Sequence, residues 1–479
     1  MRMIEEKYIF ESLEDIVGSE NVVTDAKELE KYANDGSFVK PMKPLCAAKP
    51  TTVDEVKGVV RLANRVGIAL FPYSSGTTYQ GGHIPTERGI TVDLGRMNKI
   101  DLLDTVARNA IIEPGVTFDQ LQKEAHKMGL KVMTPIGVPA HGSVLATYLE
   151  CTPLYLWPRY KTWETLNLRL VLPTGEVMGT GQMALPASER PYNWTTQFAV
   201  INRLFFCAQG TLGIGVKAAI TLTNLFPARK YLFVPIKGIS KLGEISQKLL
   251  HQEANDECFI TNRLYLACLL AKEREEIEEL KQSLPLWTMV VGFSGNDESE
   301  LAYKELDIKD VLDHYRLKGN EDLPGLKDAT SRLAAEIDHP SGMLNLKRYK
   351  GSCNYIACMA SRTQLNSFYD LILRAASISG NGGAEVGFMI MPLNFGGSYY
   401  FEPSFFHNPD DQEERDAALN IFMNASRSLI HAGGFFPRPY PLWAEEVYFR
   451  MGAYHRKIKM MKSLLDPNNI MNSGKLALK

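Results

Sequence analysis

The segment Pro72–Gly82, PYSSGTTYQGG, constrains this chain more than any other stretch. It follows a run, Ile68–Pro72, whose composition predicts a strand, and it precedes a second predicted strand at Ile90–Leu94. Small and hydroxylic residues at Ser74, Ser75, Gly76, Thr77 and Thr78 gather backbone N–H groups and hydroxyls with no bulk between them. Gly76, Gly81 and Gly82 permit close approach of the backbone. Such a nest suits a pyrophosphate, although a tight surface turn would use the same residues. Two familiar phosphate loops are excluded. The P-loop pattern fails because Gly81 is followed by Gly82 and His83 rather than by Lys. G-x-G-x-x-G follows no predicted strand, so a Rossmann dinucleotide domain is not expected.

With 479 residues the chain exceeds one ordinary core, and two or three domains are expected. Lys and Arg number 53 against 55 Asp and Glu, a net charge of −2, and 45% of residues are apolar. That balance is ordinary for a globular enzyme and gives no global attraction to nucleic acid or to an acidic membrane. The start, MRMIEEKYIFESLEDIVG, has no apolar core behind a basic residue, so no signal peptide is expected. No run approaches the ~18 apolar residues of a membrane helix, and Leu264–Ala271 reads as a short buried helix. No membrane insertion is expected, and a cytoplasmic location follows by default. The seven cysteines, Cys46, Cys151, Cys207, Cys258, Cys268, Cys353 and Cys358, are scattered without a C-x-x-C. Zinc and iron–sulfur sites are therefore not indicated, and buried free thiols are expected.

The first half alternates helices and strands. Thr52–Glu55 and Thr117–Gln120 are capping-box patterns, with Gly67 and Gly129 closing their helices. Val56, Val59, Val60, Ala63 and Val66 share one helical face. A strand at Asn109–Glu113 ends in Pro114-Gly115, and Leu166–Leu172 with Glu176–Gly179 predicts a hairpin. Phe205–Leu222 carries QGTLGIG between two β-rich stretches. After Pro227, strands at Tyr231–Ile236, Trp287–Phe293, Asn354–Met359 and Glu385–Met391 alternate with polar helices. Asp410–Ala432 reads as a long helix, and Phe435–Lys479 as a stretch ending in a turn-rich tail. The expectation is an α+β fold with domains at 1–226 and 227–432 and a segment, 433–479, returning to the first.

Six segments in order carry a resemblance: PYSSGTTYQGG, ITVDLGRMNKI, NAIIEPGVTFDQLQ, VLPTGEVMGTG, FFCAQGTLGIGVKAAITL and SLLDPNNIMNSGKL. Together they resemble the vanillyl-alcohol oxidase/p-cresol methylhydroxylase (PCMH) family of FAD enzymes. The match is close over Leu45–Pro227, good over Phe435–Leu476, and general in between. The resemblance implies a PCMH-type FAD-binding domain of two subdomains and a cap domain with an antiparallel sheet and helices. It implies cofactor contacts from Pro72, Tyr73, Ser74, Ser75, Gly76, Thr77, Thr78 and Gly81, from Glu113, Pro114, Gly115 and Val116, from Gly142 and Ser143, and from Gly210, Gly213 and Ile214. Thr77 stands where some members carry the histidine that tethers FAD, and threonine cannot form that bond. His83 lies beyond Gly82, out of place for it. Tyr399 and Tyr400 are the other tether candidates, with strand packing as the competing reading. Noncovalent FAD is expected.

The hydroxy-acid branch of such enzymes carries a histidine-rich metal-binding signature in the cap. Here that region reads GGSYYFEPSFFHNPDD, with His407 alone, and no metal is expected. The phenol and alcohol branch is closer, and its Tyr-Arg-Thr-His segment corresponds to GGFFPRPYP. Arg438 keeps the charged position that steadies a phenolate, while Pro437 and Tyr440 replace its neighbours. An ion pair of Arg438 with Glu445 or Glu446 is the structural alternative. Arg438, Tyr440, Tyr155 and Glu150 are the catalytic candidates, and Tyr155, Trp157, Arg159 and Tyr160 a candidate pocket wall, with aromatic core packing as the more frequent reading of such residues. The expected function is hydride transfer from an alcohol or a phenolic or benzylic substrate to FAD. A 2-hydroxy-acid dehydrogenase, an electron-relaying subunit and a redox-neutral transferase are the alternatives. The expected partners are a small-molecule substrate, an iron–sulfur or cytochrome acceptor protein, and further copies or subunits.

Overall fold

The computed structural model describes residues 2–155, 165–185, 201–377 and 385–478, so Trp157, Arg159 and Tyr160 lie outside the described residues. The helix Val53–Val66 begins where Thr52 Oγ1 accepts the Glu55 N–H at 3.2 Å, and it stops at Gly67 in the left-handed region. The second arm of the capping box reaches one residue further out than expected, because the Glu55 carboxylate accepts the Thr51 N–H at 2.7 Å. Its buried face, Val56, Val59, Val60 and Ala63, packs on a four-stranded sheet. The order is Val22–Val23, Cys46–Ala48, Gly89–Asp93, Ala69–Tyr73, the last three being parallel.

A second, antiparallel sheet runs Ile100–Asp104, Asn109–Ile112, Ile214–Thr221, Thr165–Val171, Val177–Gly179. The helices Phe118–Lys127 and Val144–Leu149 bury their apolar faces with it in one core. The expected hairpin forms there. The stretch before QGTLGIG differs from expectation. Ile201–Phe205 is a 3-10 turn, followed by three left-handed residues, Cys207, Gln209 and Gly210, which fold the chain back on itself.

Ala228–Ile236 opens a third sheet, with Trp287–Gly295, Glu257–Asn262, Val386–Leu393, Ser398–His407 and Ser352–Tyr355 in that order. Its pairings are antiparallel. One core joins a sheet face to Leu242–His251, Glu298–His314, Leu365–Ser377 and Gln412–His431. The other joins the opposite face to Arg263–Leu270, Ala329–Asp338 and Met343–Lys347, and takes in Tyr79, Ile136 and Tyr155 from the earlier part of the chain. The strand expected at Asn354–Met359 is interrupted. Ser352–Tyr355 and Cys358–Ala360 both pair with Ser398–His407, and the break faces Pro403, which has no N–H to donate.

The stretch after Gly434 is not only turns. Ala444–Leu465 is a 22-residue helix, kinked at Gly452. Beyond it the chain returns to the first sheet, where Leu70 N–H donates to Ile470 at 2.7 Å and Asn472 N–H donates to Leu70 at 2.8 Å. Lys462 and Asp466 form a buried ion pair at this junction. The ammonium also donates to the Thr211 and Met471 carbonyls, each at 2.8 Å, while the carboxylate accepts the Ile470 and Met471 N–H groups. No described helix is long and apolar enough to cross a membrane. Asp466→Ala leaves an uncompensated buried ammonium and is expected to cost about 3–5 kcal/mol. Urea unfolding measures this, and a loss under about 1 kcal/mol would contradict it.

Candidate active site

A cavity runs between the first two sheets and residues of the third. Pro72, Tyr73, Ser74, Ser75, Gly76, Thr77 and Thr78 line it, followed by Gly82 and His83. Pro114 and the turn carrying Gly210, Gly213 and Ile214 form another wall. An adjoining recess shares Tyr73, Ser74 and Ser75 and reaches Gly115 and Ser143.

Hydrogen bonds to distant segments shape the glycine-rich loop. Ser75 Oγ accepts the Ser143 N–H at 3.0 Å and shares a hydrogen bond with Thr77 Oγ1 at 3.0 Å. Ser143 Oγ caps the helix Val144–Leu149 by accepting the Ala146 N–H at 3.1 Å. Gly81 donates to Asp35 at 2.7 Å, and the Gly81 and Ile84 carbonyls accept the buried Lys475 ammonium, each at 2.7 Å. Gly76 holds φ +66°, and a Cβ there would sit 2.8 Å from the Tyr73 hydroxyl oxygen.

Five expected contact residues stand behind the walls rather than on them. Gly81 packs on Val39 and Gly142 on Val138, with no room for a Cβ at either. The Glu113 carboxylate is spent on the Lys99 N–H at 2.9 Å, and Val116 is fully buried in the core. Tyr155, expected as a catalytic candidate and as pocket wall, belongs to the packed core instead. Its ring lies 5.5 Å from Phe259, and burial, with Glu336 and Glu402 nearby, holds its phenol well above the ordinary range. An aromatic at that position fills the contact between sheet and loop, and does not reach the cavity.

Glu150, Thr152, Tyr355, Arg438 and Tyr440 line the cavity together. Tyr440 donates to Glu150 Oε2 at 3.0 Å, Arg438 Nη1 donates to Thr152 Oγ1 at 3.1 Å, and Tyr355 donates to the Thr78 carbonyl at 3.2 Å. Burial raises the Glu150 carboxyl, against the opposing pull of Arg438 and the Tyr440 hydrogen bond. Arg438 is 4% exposed, and no carboxylate among the described residues lies within ion-pairing distance of it. Glu446, the structural alternative, faces Arg427 and His431 instead. Sequence reasoning missed Tyr355, Thr152, Asn472 and His83 as lining residues, and of the QGTLGI run that begins at Gln209 it offered the backbone amides and not the Gln209 side chain.

The wall also holds buried polar atoms without partners among the described residues. They are Thr78 Oγ1, both ring nitrogens of His83, both amide atoms of the Gln209 side chain, Arg438 Nε and Asn472 Oδ1. Unpaired buried polar groups each cost about 1–3 kcal/mol, so their convergence on one cavity fits a large polar ligand. Behind the cavity, Tyr265 donates to Glu402 Oε1 at 3.1 Å and Tyr400 donates to Glu402 Oε2. Burial pushes the Glu402 carboxyl up to about 7.

A family model described as FAD binding domain matches residues 44–181. The chain is similar, over 98% of its length with a TM-score of 0.84 at 19% identity, to p-cresol methylhydroxylase with substrate bound, covering 96% of that chain. It is similar in the same way to 4-ethylphenol oxidase from Gulosibacter chungangensis, with a TM-score of 0.85, 19% identity and 98% and 97% of the two chains covered. Residues 44–181 carry an FAD-binding domain, and the whole chain has the PCMH-type fold of these solved structures. An FAD-linked oxidoreductase of Mycobacterium tuberculosis is 29% identical over 292 residues, 58% of this chain and 60% of that one. A D-lactate dehydrogenase of Archaeoglobus fulgidus is 28% identical over 90% of this chain and 91% of its own length. The match to the first of these relatives spans 60% of that protein, under two thirds of it.

In this PCMH-type fold the tether candidates are placed as follows. Thr77 is at the cavity. The Tyr399 hydroxyl donates to the Gly243 carbonyl at 2.9 Å in the core on the opposite face of the strand, and the Tyr400 hydroxyl is taken by Glu402. His407 stacks on Phe38, 5.2 Å between centroids, and no group of three His, Cys, Asp or Glu among the described residues could hold a metal.

Two outcomes test this site. Gly76→Val puts a branched side chain at positive φ against Tyr73, and the purified protein is expected to lose most of its flavin absorbance while keeping its circular dichroism. Glu402, protonated in the fold and ionised in the unfolded chain between about pH 4.5 and 7, stabilises less as pH rises through that window. Glu402→Gln is therefore expected to gain stability relative to the parent from about pH 5 to about pH 8 in thermal melts. The opposite trend would show an ionised Glu402 in the native state.

Proposed function

We propose that this chain is an FAD-dependent oxidoreductase taking a hydride from an alcohol or from a phenolic or benzylic substrate. The observation that carries the reading is Arg438, a buried guanidinium without a carboxylate partner on the wall of the cavity. Burying an unpaired charge costs several kcal/mol, which an anion in the cavity offsets.

Ser74, Ser75, Gly76, Thr77 and Thr78 would hold the pyrophosphate, with Pro72 and Tyr73 beside them. Gly115 and Ser143 in the adjoining recess, Pro114, and Gly210, Gly213 and Ile214 would hold the rest of the cofactor. Gly81, Glu113, Val116 and Gly142 would fix those walls from behind. FAD, when bound, supplies the acceptor for the hydride. Arg438 lowers the free energy of an alkoxide or phenolate oxygen on the substrate. Tyr440 and Glu150 form a hydroxyl–carboxyl pair that takes up the released proton, and the raised affinity of Glu150 for a proton suits that role. Tyr355 and Thr152 orient the substrate and exclude water.

A second reading, a 2-hydroxy-acid dehydrogenase, is favoured by the near full-length likeness to the A. fulgidus D-lactate dehydrogenase. Arg438 would then bind a carboxylate. In either case electrons leave to oxygen or to an iron–sulfur or cytochrome protein. A relative in Pseudomonas putida, 29% identical over 36% of this chain, is a flavoprotein subunit, which supports an assembly with a partner. The free state of the seven cysteines supports a cytoplasmic location.

Bleaching of the bound flavin under nitrogen decides between the substrates. Reduction by 4-alkylphenols or benzylic alcohols is expected; reduction by D-lactate and by no phenol or alcohol would overturn the first reading. Arg438→Met is expected to slow bleaching about 10²–10³-fold, and Arg438→Lys to restore little of it.

A further inference from the structure

We propose that the exposed face of the helix Ala444–Leu465 docks this protein on an anionic phospholipid surface. The helix has an inner and an outer face beyond its kink at Gly452. On the inner face His455 stacks on Tyr448, Lys462 is buried in its ion pair, and Leu465 packs against the core of the second sheet. These contacts already satisfy the fold. The outer face is apolar as well. At about 100° per residue, Tyr454, Met461, Leu464 and Met460 fall within an arc of about 120°. All four are exposed, Leu464 by 81%, and Phe449 before the kink is 87% exposed. No other element presents so many large apolar side chains to solvent among the described residues.

Charge selects the occupant. From Val447 to Leu465 the sequence holds no Asp or Glu, and with Lys462 taken up in its buried pair the cations left are Arg450, Arg456, Lys457 and Lys459, in a chain whose net charge is −2. Lys457 sits inside the apolar arc and Arg456 at its edge. A second copy of this chain would bring the same cations face to face in a two-fold contact, which like-charge repulsion opposes. Tyr454, Met460, Met461 and Leu464 line neither the cavity nor its adjoining recess, so neither offers this face a pocket for the anchors of a partner protein. A bilayer needs no matching shape. Apolar side chains enter the headgroup–acyl boundary while lysine and arginine meet lipid phosphates, the arrangement of an interfacial amphipathic helix. The docking is peripheral and does not depend on which substrate the cavity takes.

The test uses the full-length, flavin-loaded protein and vesicles of phosphatidylcholine and phosphatidylglycerol mixed two to one. Sedimentation with these vesicles and not with pure phosphatidylcholine is expected. The pair Arg456→Glu/Lys457→Glu should weaken binding at least about tenfold, and so should Met460→Ser/Leu464→Ser. Both variants should keep the parent's flavin content, melting temperature and turnover with a soluble dye, since the altered side chains are exposed. Failure to sediment, equal binding to neutral vesicles, or binding unchanged in both variants would overturn the proposal. So would a change in solution mass, or lost co-elution of an acidic protein, in variants of a parent that never binds vesicles.

Discussion

The architecture around the cavity depends on one buried cation. Lys475 points its ammonium at the carbonyls of Gly81 and Ile84, inside the loop that lines the cavity. Burial drives its proton affinity down to about 7, against the pull of Asp35. Asp35, in turn, accepts the Gly81 N–H. Both faces of one peptide turn are therefore held by charged side chains, one from each end of the chain. A loop rich in glycine and serine has high conformational entropy when free, and these charge-assisted bonds offset part of the cost of fixing it. The cavity wall is thus a product of the termini as much as of the loop's own sequence.

The cavity shows the same economy at larger scale. Arg438 is buried with one hydroxyl for a partner, and Gln209 is buried with a side chain that meets none. Such groups are expensive in an empty fold and become favourable once a polar ligand meets them. Gln209 also sits in the left-handed region between Cys207 and Gly210. Stored strain and unmet polarity in one turn are what a preorganised binding wall consists of.

What the sequence reveals follows from the range over which each feature is determined. Thr52 and Thr117 cap their helices as expected, because a cap is decided within three residues. The phosphate nest and Arg438 were legible through motifs whose order is itself informative. Tyr355 and Asn472 were not, since each acquires its position from pairings made far along the chain. Tyr155 takes the core-packing reading over the pocket one for the same reason: an aromatic residue near a loop serves either until its neighbours are known. The helix Ala444–Leu465 was hidden by Gly452, which breaks the pattern where the helix kinks.

The contact between Lys475 and Gly81 spans 394 positions. At a synthesis rate of about 5–20 residues per second, the loop leaves the ribosome roughly twenty to eighty seconds before the residue that clamps it. Through that interval the strand Ala69–Tyr73 has an open edge, because the segment that pairs with Leu70 does not yet exist. The clamp on the loop is therefore complete only when the chain is nearly finished. An unfinished chain presents an open strand edge and a cavity loop without its clamp, the kind of edge on which other chains can pair.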